Sequence, residues 1–256
     1  MEKRLIKEYL NLLHQFYQKY KKEIGEKEVG VMLSGGIDSS IIAYFTHLYF
    51  KKNSFFTLSF DEKSDDIFHA QILAKKLDKK LEVIFYQKED VLKIKNKILE
   101  ILEKNKVEIN PMQKALASAF FLVCQKVKEK NISYLFTGQG PDILLAGYHK
   151  YKNISKNNIN EEIKKDLPLL EIDKKRDSSV AKIFNIKLVN PYLEKDFVDF
   201  TLEIPEDFKI NLISGEVYEK YLSRKVGKFL KLPKEIILRH KKALQYSTKI
   251  IKKISS

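Results

Sequence analysis

The stretch VGVMLSGGIDSS, residues 29–40, decides the fold. Val29 to Leu33, four apolar residues around one glycine, read as a buried parallel strand. Ser34, Gly35 and Gly36 follow, and Ile37, Asp38, Ser39 and Ser40 open an apolar helical run, IIAYFTHLYF. A strand that ends in small residues and enters a helix is how α/β folds build anion sites. The glycines let backbone N–H groups converge without a Cβ in the way, and the helix N-terminus adds its own unpaired donors. The loop has no Gly-Lys-Ser/Thr ending, so it is not the phosphate loop of the common kinases and GTPases. Instead Asp38 sits where the helix begins. A carboxylate there would repel a nucleotide unless it held a divalent cation, so Asp38 points to magnesium. The plainer reading is a strand–turn–helix capped by Ser or Asp.

Working outward, Leu5, Tyr9, Leu12, Leu13, Phe16 and Tyr20 fall at three- and four-residue spacing, a one-faced helix over 3–23 closed by Gly25. Beyond the loop helix the pattern predicts strands over Ser54–Phe60, Leu81–Phe85 and Tyr134–Thr137. Between them lie helices over Ile67–Leu77, Glu89–Leu102 and Pro111–Lys130, the last with proline in its first turn. This alternation implies right-handed crossovers and a parallel sheet with helices on both faces, an α/β fold. Ligands in such sheets bind beyond the carboxyl ends of the strands, where Ser34 and Gly138 both sit. The segment KYKNISKNNINEEIKKD, 150–166, is poor in apolar residues and reads as a mobile surface loop. After it come short helices punctuated by Pro168, Pro191, Pro205 and Pro233. The chain is read as one domain over 1–256, with an α/β core at about 25–150 and a helical C-terminal extension at about 163–250.

The formal charge of +14 is dominated by scattered lysine, with no compact Arg-rich motif. It suits anionic partners such as nucleotide or tRNA, or simply lysine-rich solvated faces. Cys124, the single cysteine, lies in ASAFFLVCQKV and reads as a core residue. One cysteine allows neither an internal disulfide nor a thiolate zinc cluster, so a reducing cytoplasmic compartment is expected. No apolar run approaches the length of a membrane span, and no membrane partner is expected.

SGGIDSS resembles the SGGxDS pyrophosphate loop of the PP-loop ATP pyrophosphatases, which adenylate a substrate and release pyrophosphate. Within that group the chain is similar to the synthetase domain of the asparagine synthetases and β-lactam synthetases over roughly residues 25–250. FTGQGPDILLAGYHKY, 136–151, resembles the family's SGEGSDExxGGY. LRHKKALQY, 238–246, resembles its Arg-x-Lys-Lys/Glu segment, and LVNPYLEKDFVDFTLEIP, 188–205, its R-x-PFLD stretch. The resemblance implies an adenine nucleotide α-hydrolase-like fold with ATP and Mg2+ as cofactors.

On that footing Ser34, Gly35, Gly36 and Ser39 would hold the pyrophosphate end, with Ser40 facing the helix body or completing the cap. Gly138 and Gly140 would form the second loop, and Asp142 beyond them would share the metal with Asp38 or cap its own short helix. Adenine would lie against the second strand, its edge read by backbone groups of Thr57, Leu58, Ser59 and Phe60, with Leu33 and Leu58 packed on the ring. Their alternative role is plain core. Lys241, the first lysine of the third block, would stabilise the α-phosphate in the transition state, with Arg239 close by. Gln139 stands where the family has the glutamate held to act on the nitrogen nucleophile. Pro141 and Ile143 also depart from the pattern.

Residue 2 is Glu, and no glutaminase half is expected. Nitrogen would come from ammonia or from a separate glutaminase subunit. The expected function is an ATP-dependent amide-forming synthetase acting on a small amino-acid substrate, with aspartate first and asparagine, AMP and pyrophosphate as products. The alternatives are another PP-loop adenylating enzyme acting on a metabolite or tRNA, or a nucleotide-binding protein of reduced activity. A homodimer is compatible with all three.

Overall fold

The computed structural model describes residues 1–213 and 215–240, with Lys156 described by its backbone alone. Its elements in chain order are α1 (Glu2–Ile24), β1 (Val29–Met32), α2 (Ile37–Tyr49), β2 (Asn53–Ser59), α3 (Asp65–Lys76) and β3 (Leu81–Phe85). Next come α4 (Lys88–Lys104), α5 (Pro111–Glu129), β4 (Tyr134–Phe136), α6 (Pro141–Leu144), α7 (Ile159–Ile183) and β5 (Lys187–Val189). The chain continues through α8 (Lys195–Glu203), β6 (Ile210–Ile213), β7 (Glu216–Glu219), α9 (Tyr221–Phe229) and α10 (Lys234–Ile237).

Strands β1 to β5 form one parallel sheet in the order β3–β2–β1–β4–β5. β1 is central, with Val31 opposite Phe55 on one side and Phe136 on the other. Because successive strand residues point to opposite faces, each strand feeds two cores. Val31, Phe55, Phe136 and Val189 join the apolar faces of α1, α2 and α3. Phe56, Leu58 and Leu135 join α4, α5 and the end of α7. The expected α/β fold, a parallel sheet with helices on both faces, is the one observed. Helix starts follow local chemistry: Asn110 Oδ1 accepts from the Gln113 N–H at 2.9 Å with Pro111 just inside α5. Cys124 is buried in α5 as expected.

The expected mobile loop over 150–166 is corrected. Two 3₁₀ turns, His149–Asn153 and Lys156–Asn158, lead directly into α7, which runs through Pro168 without stopping. The few apolar residues of the segment are all used: Tyr151, Ile159 and Ile163 are buried in the main core. Asp166 anchors the turn by accepting from Tyr151 Oη and from Lys150 Nζ, the latter at 2.7 Å. Pro168 forgoes one helical bond, but Ile163, Leu170, Val180 and Ala181 keep the helix buried on either side of it.

The C-terminal part is also less purely helical than expected. It adds β5 to the sheet edge and an antiparallel hairpin, β6–β7, before α9. No helix among the described residues is long and apolar enough to cross a membrane.

Candidate active site

The backbone of β1 carries on past Met32, where the Leu33 N–H still reaches Phe56 O at 2.8 Å. The chain then turns at Gly35, with φ of 71°. A Cβ at that position would lie 2.7 Å from His69 Cβ and 2.8 Å from the Ala70 nitrogen, so glycine is required for both dihedral and space. Ser39, in the first turn of α2, closes the loop on itself. Its hydroxyl donates to Gly36 O at 3.1 Å and accepts from the Ser34 N–H at 3.2 Å, and it lies 3.1 Å from Ser34 Oγ. Arg239 clamps the loop from outside, donating to Ser34 O at 2.8 Å and pairing with buried Asp66 of α3. The chain thus enters the N-terminus of α2 through a glycine turn closed by Ser34 and Ser39, the strand–turn–helix that the sequence predicts.

Two carboxylates converge beside it. Asp38 rises from the first turn of α2 and Asp142 from α6, which follows β4. Between them lies Lys220, whose ammonium donates to Asp38 Oδ2 and lies 2.6 Å from Asp142 Oδ1. Burial works against the charge on Lys220, but the carboxylates of Asp142 and Asp38 outweigh it and raise its pKa above the ordinary lysine value. Asp38 Oδ1 is buried and, among the described residues, has no hydrogen-bond partner. Lys220 reaches this point from the residue between β7 and α9, held in a left-handed conformation (φ 55°) with its N–H on Leu145 O at 3.2 Å. Gly147 makes the room: a Cβ there would strike Lys220 Cε and stand 2.7 Å from Asp142 Oδ1. The Asp38 carbonyl is braced from behind by Tyr192 Oη at 3.2 Å, which in turn accepts from Tyr9 Oη of α1 at 3.1 Å.

The other wall is built by α5 and α7. Gln139 Nε2 donates to Asp177 Oδ2 at 3.1 Å. Arg176, buried, spans Asp177 with its Nε at 2.8 Å and Nη2 at 3.0 Å, and sends Nη1 to Gln113 Oε1 at 2.8 Å and to Asp173 Oδ1 at 2.6 Å. Burial opposes the charge of Arg176, but Asp177 and Asp173 hold it protonated. Tyr148, near Asp142, has its phenol raised by burial and by that carboxylate.

A cavity of about 500 Å³ joins these groups. Of the residues expected at the site, Ser34, Gly36, Asp38 and Ser39 line it from the loop, and Gly138, Gln139 and Asp142 from the β4 side, with Arg239 at the edge. Gly35 and Gly140 shape the turns without lining the cavity, and Ser40 is fully buried. Leu33, Leu58 and Ser59 are buried and do not line it; the Ser59 hydroxyl donates to Asp61 O at 2.9 Å. Lys241 lies outside the described residues.

Sequence reasoning missed Lys220, Arg176, Asp177 and Arg224, all of which line the cavity. Arg224 is buried beneath Tyr218, with Nε donating to Glu219 O at 2.7 Å. For Lys220 the signal was only general: two converging acids call for a cation, which does not single out one lysine among many.

The family model for asparagine synthase matches residues 20–185. The chain belongs to the asparagine synthase family. Its PP-loop is the glycine turn into α2. A protein of Methanocaldococcus jannaschii whose name marks it as a candidate glutamine-hydrolysing asparagine synthetase is 27% identical over 203 residues, 77% of this chain and 36% of that protein. The glutamine-hydrolysing asparagine synthetase of Gallus gallus is 26% identical over 243 residues, 91% of this chain and 42% of the relative. The chain thus spans less than half the length of either. Among solved structures, NMN synthetase from Francisella tularensis superposes with a TM-score of 0.45 and 13% identity, over 93% of this chain and 74% of that one.

Proposed function

We propose that this chain is an ATP-dependent adenylating enzyme that activates a carboxylate for amide formation. One observation carries the reading: Asp38 and Asp142, from the tips of β1 and β4, converge beside the glycine loop at the N-terminus of α2. In the reaction a carboxylate oxygen of the acceptor bonds to the α-phosphorus of ATP and pyrophosphate leaves. A nitrogen nucleophile then attacks the acyl carbon, AMP departs and a proton is released.

The loop N–H groups and the Ser34 hydroxyl would bind the departing pyrophosphate. Lys220, kept protonated by its two acids, adds positive charge where the phosphates must sit. The donor set also fits a magnesium ion, a hard cation satisfied by two carboxylates plus phosphate oxygens and water; the orphaned Asp38 Oδ1 is an available ligand atom. Bound there, magnesium would neutralise phosphate charge. Lys241, by its family match, would act on the α-phosphate. Gln139 cannot take a proton, so its part with the nucleophile is orientation.

The relatives' names give asparagine as product and glutamine as the compound hydrolysed; for this chain aspartate, with ammonia or a separate glutaminase subunit as nitrogen source, is the corresponding reading. A tRNA acceptor is the second reading, favoured by the charge of +14. The test is pyrophosphate and AMP release with ATP, Mg2+, ammonia and a panel of acids, in the wild type and in Asp142→Asn. Release that needs an acid and vanishes in Asp142→Asn is the expected result. ATP binding without release for any acid would leave a nucleotide-binding protein instead.

A further inference from the structure

The acceptor half of the cavity has a chemistry that aspartate does not match. The loop, Asp38, Asp142 and Lys220 account for the phosphate end, and Met32 and Phe120, which belong to the core between the strands and α5, are left to the base. What remains lies beyond Gln139, between α5 and α7. There Met112 of α5 and Leu169 and Ile172 of α7 line the cavity while 44%, 45% and 38% exposed. Leu116 continues the same face of α5 one turn further in. Three large apolar side chains on two facing helices, open to solvent at one cavity mouth, form a surface awaiting an apolar ligand.

The polar groups of this wall are spoken for. Four of the five N–H donors of Arg176 bind Asp177, Asp173 and Gln113. Lys150 pairs with Asp166 at 2.7 Å and Glu162 at 3.4 Å. Among the described residues, no cation on α5 or α7 at this mouth is left to receive a second carboxylate. Of aspartate's two α-groups only the ammonium would find a partner there, in Asp173, while the α-carboxylate would meet that same acid and apolar side chains.

We infer that the acceptor is an apolar monocarboxylic acid, an aliphatic chain or an aromatic ring whose single carboxylate reaches the α-phosphate while its body lies on Met112, Leu116, Leu169 and Ile172. The inference rests on the adenylation reading for its chemistry and on the wall for its specificity, and the two are tested separately. Turnover is read as pyrophosphate release with ATP, Mg2+ and ammonia for aspartate, butyrate, octanoate and 3-phenylpropionate. Each buried methylene is worth about fourfold in affinity, so a KM at least roughly tenfold lower for octanoate than for butyrate or aspartate is expected. Leu169→Ser/Ile172→Ser changes two exposed positions, so the fold is retained. It should raise the octanoate KM about tenfold and leave that of ATP unchanged.

Occupancy of the wall is read without turnover, by saturation-transfer NMR of octanoate on the ATP-free protein. A contact signal in the wild type that disappears in the double variant supports the pocket even if no pyrophosphate is made, in which case the adenylation reading alone has failed. Efficient release with aspartate, indifferent to the double variant, overturns the acceptor class and leaves adenylation standing. No octanoate signal in the wild type overturns the pocket as well.

Discussion

Replacing Lys220 by methionine keeps the volume of its stem and removes the charge that separates Asp38 from Asp142. Lys220 and Asp38 are both buried, while the Asp142 side chain keeps 35% of its surface exposed, so the change leaves two acids facing each other with water screening them only from the Asp142 side. Removing one partner of a buried pair costs about 3–5 kcal/mol. Uptake of a proton by one carboxylate relieves part of this, so a loss near the lower figure is expected. For a chain of this size each kcal/mol moves the melting temperature by roughly 2–4 °C, giving a fall of about 6–12 °C in metal-free buffer. Magnesium should reverse part of it, because a divalent cation can take the place of the ammonium. At tenfold excess over its Kd the recovery is about 1.4 kcal/mol. The wild type, with Lys220 in place, should respond far less. Thermal melts by circular dichroism, with EDTA and across a magnesium titration, read both effects without nucleotide or substrate. A Lys220→Met melting temperature within about 2 °C of wild type, unmoved by magnesium, would refute the convergence of the two carboxylates on one cation.

Gly147→Ala should cost roughly 1–3 kcal/mol, since its Cβ would come within 2.9 Å of Asp142 Cα as well as striking Lys220; a chemical-denaturation curve measures it, and pyrophosphate release should fall with it. Lys209 is buried, with its Nζ on Asn160 Oδ1, and burial pushes its pKa down to about 8 from 10.5. Its folded pKa is below the unfolded value, so the stability it contributes is present above pH ~10.5 and lost as pH falls through about 8. Wild type should therefore gain on the order of 3 kcal/mol relative to Lys209→Met on going from pH 7 to 10.5, and parallel denaturation curves at the two pH values would contradict this. Gln139→Glu sets a carboxylate against Asp177 and should raise the apparent pKa of the pair. The variant should be most stable at low pH and lose ground to wild type as pH rises through that value; melts between pH 5 and 8 check the direction.

Much of the phosphate end was legible in the sequence because small residues and acids at strand tips have few other reasons to occur together. Ser34, Gly36, Asp38 and Asp142 could be placed from local pattern and resemblance, and the structure brings them to one cavity. Lys220 could not: it is one of 48 basic residues, and its value comes from a left-handed backbone and a contact 182 positions away from Asp38. Arg176 and Asp177 were hidden because NISKNN and Pro168 suggest interruption, while the burial that sustains α7 depends on partners in α5 and the sheet. β5 escaped notice for a simpler reason: three residues, Lys187–Val189, are too few to show a period. The adenine-facing roles of Leu33, Leu58 and Ser59 were drawn from resemblance; in the structure their side chains are buried and do not line the cavity, which leaves a role for the strand backbone untouched.

The brace of phenols behind the glycine loop carries a lesson about where this molecule can be cut. The family model begins at residue 20, so most of α1 falls outside it. Yet Tyr9 and Tyr17 of that helix are fully buried, and Tyr9 reaches the Asp38 carbonyl through a single intervening hydroxyl. A chain shortened at its start to residue 20 would keep every residue of the PP-loop, together with Lys220 and Tyr192, and lose the Tyr9 hydroxyl that supports the floor on which Asp38 rests. The stretch matched by the family and the stretch that holds the loop in shape have different edges here, and a change on removing α1 alone would report on mechanical support instead of chemistry.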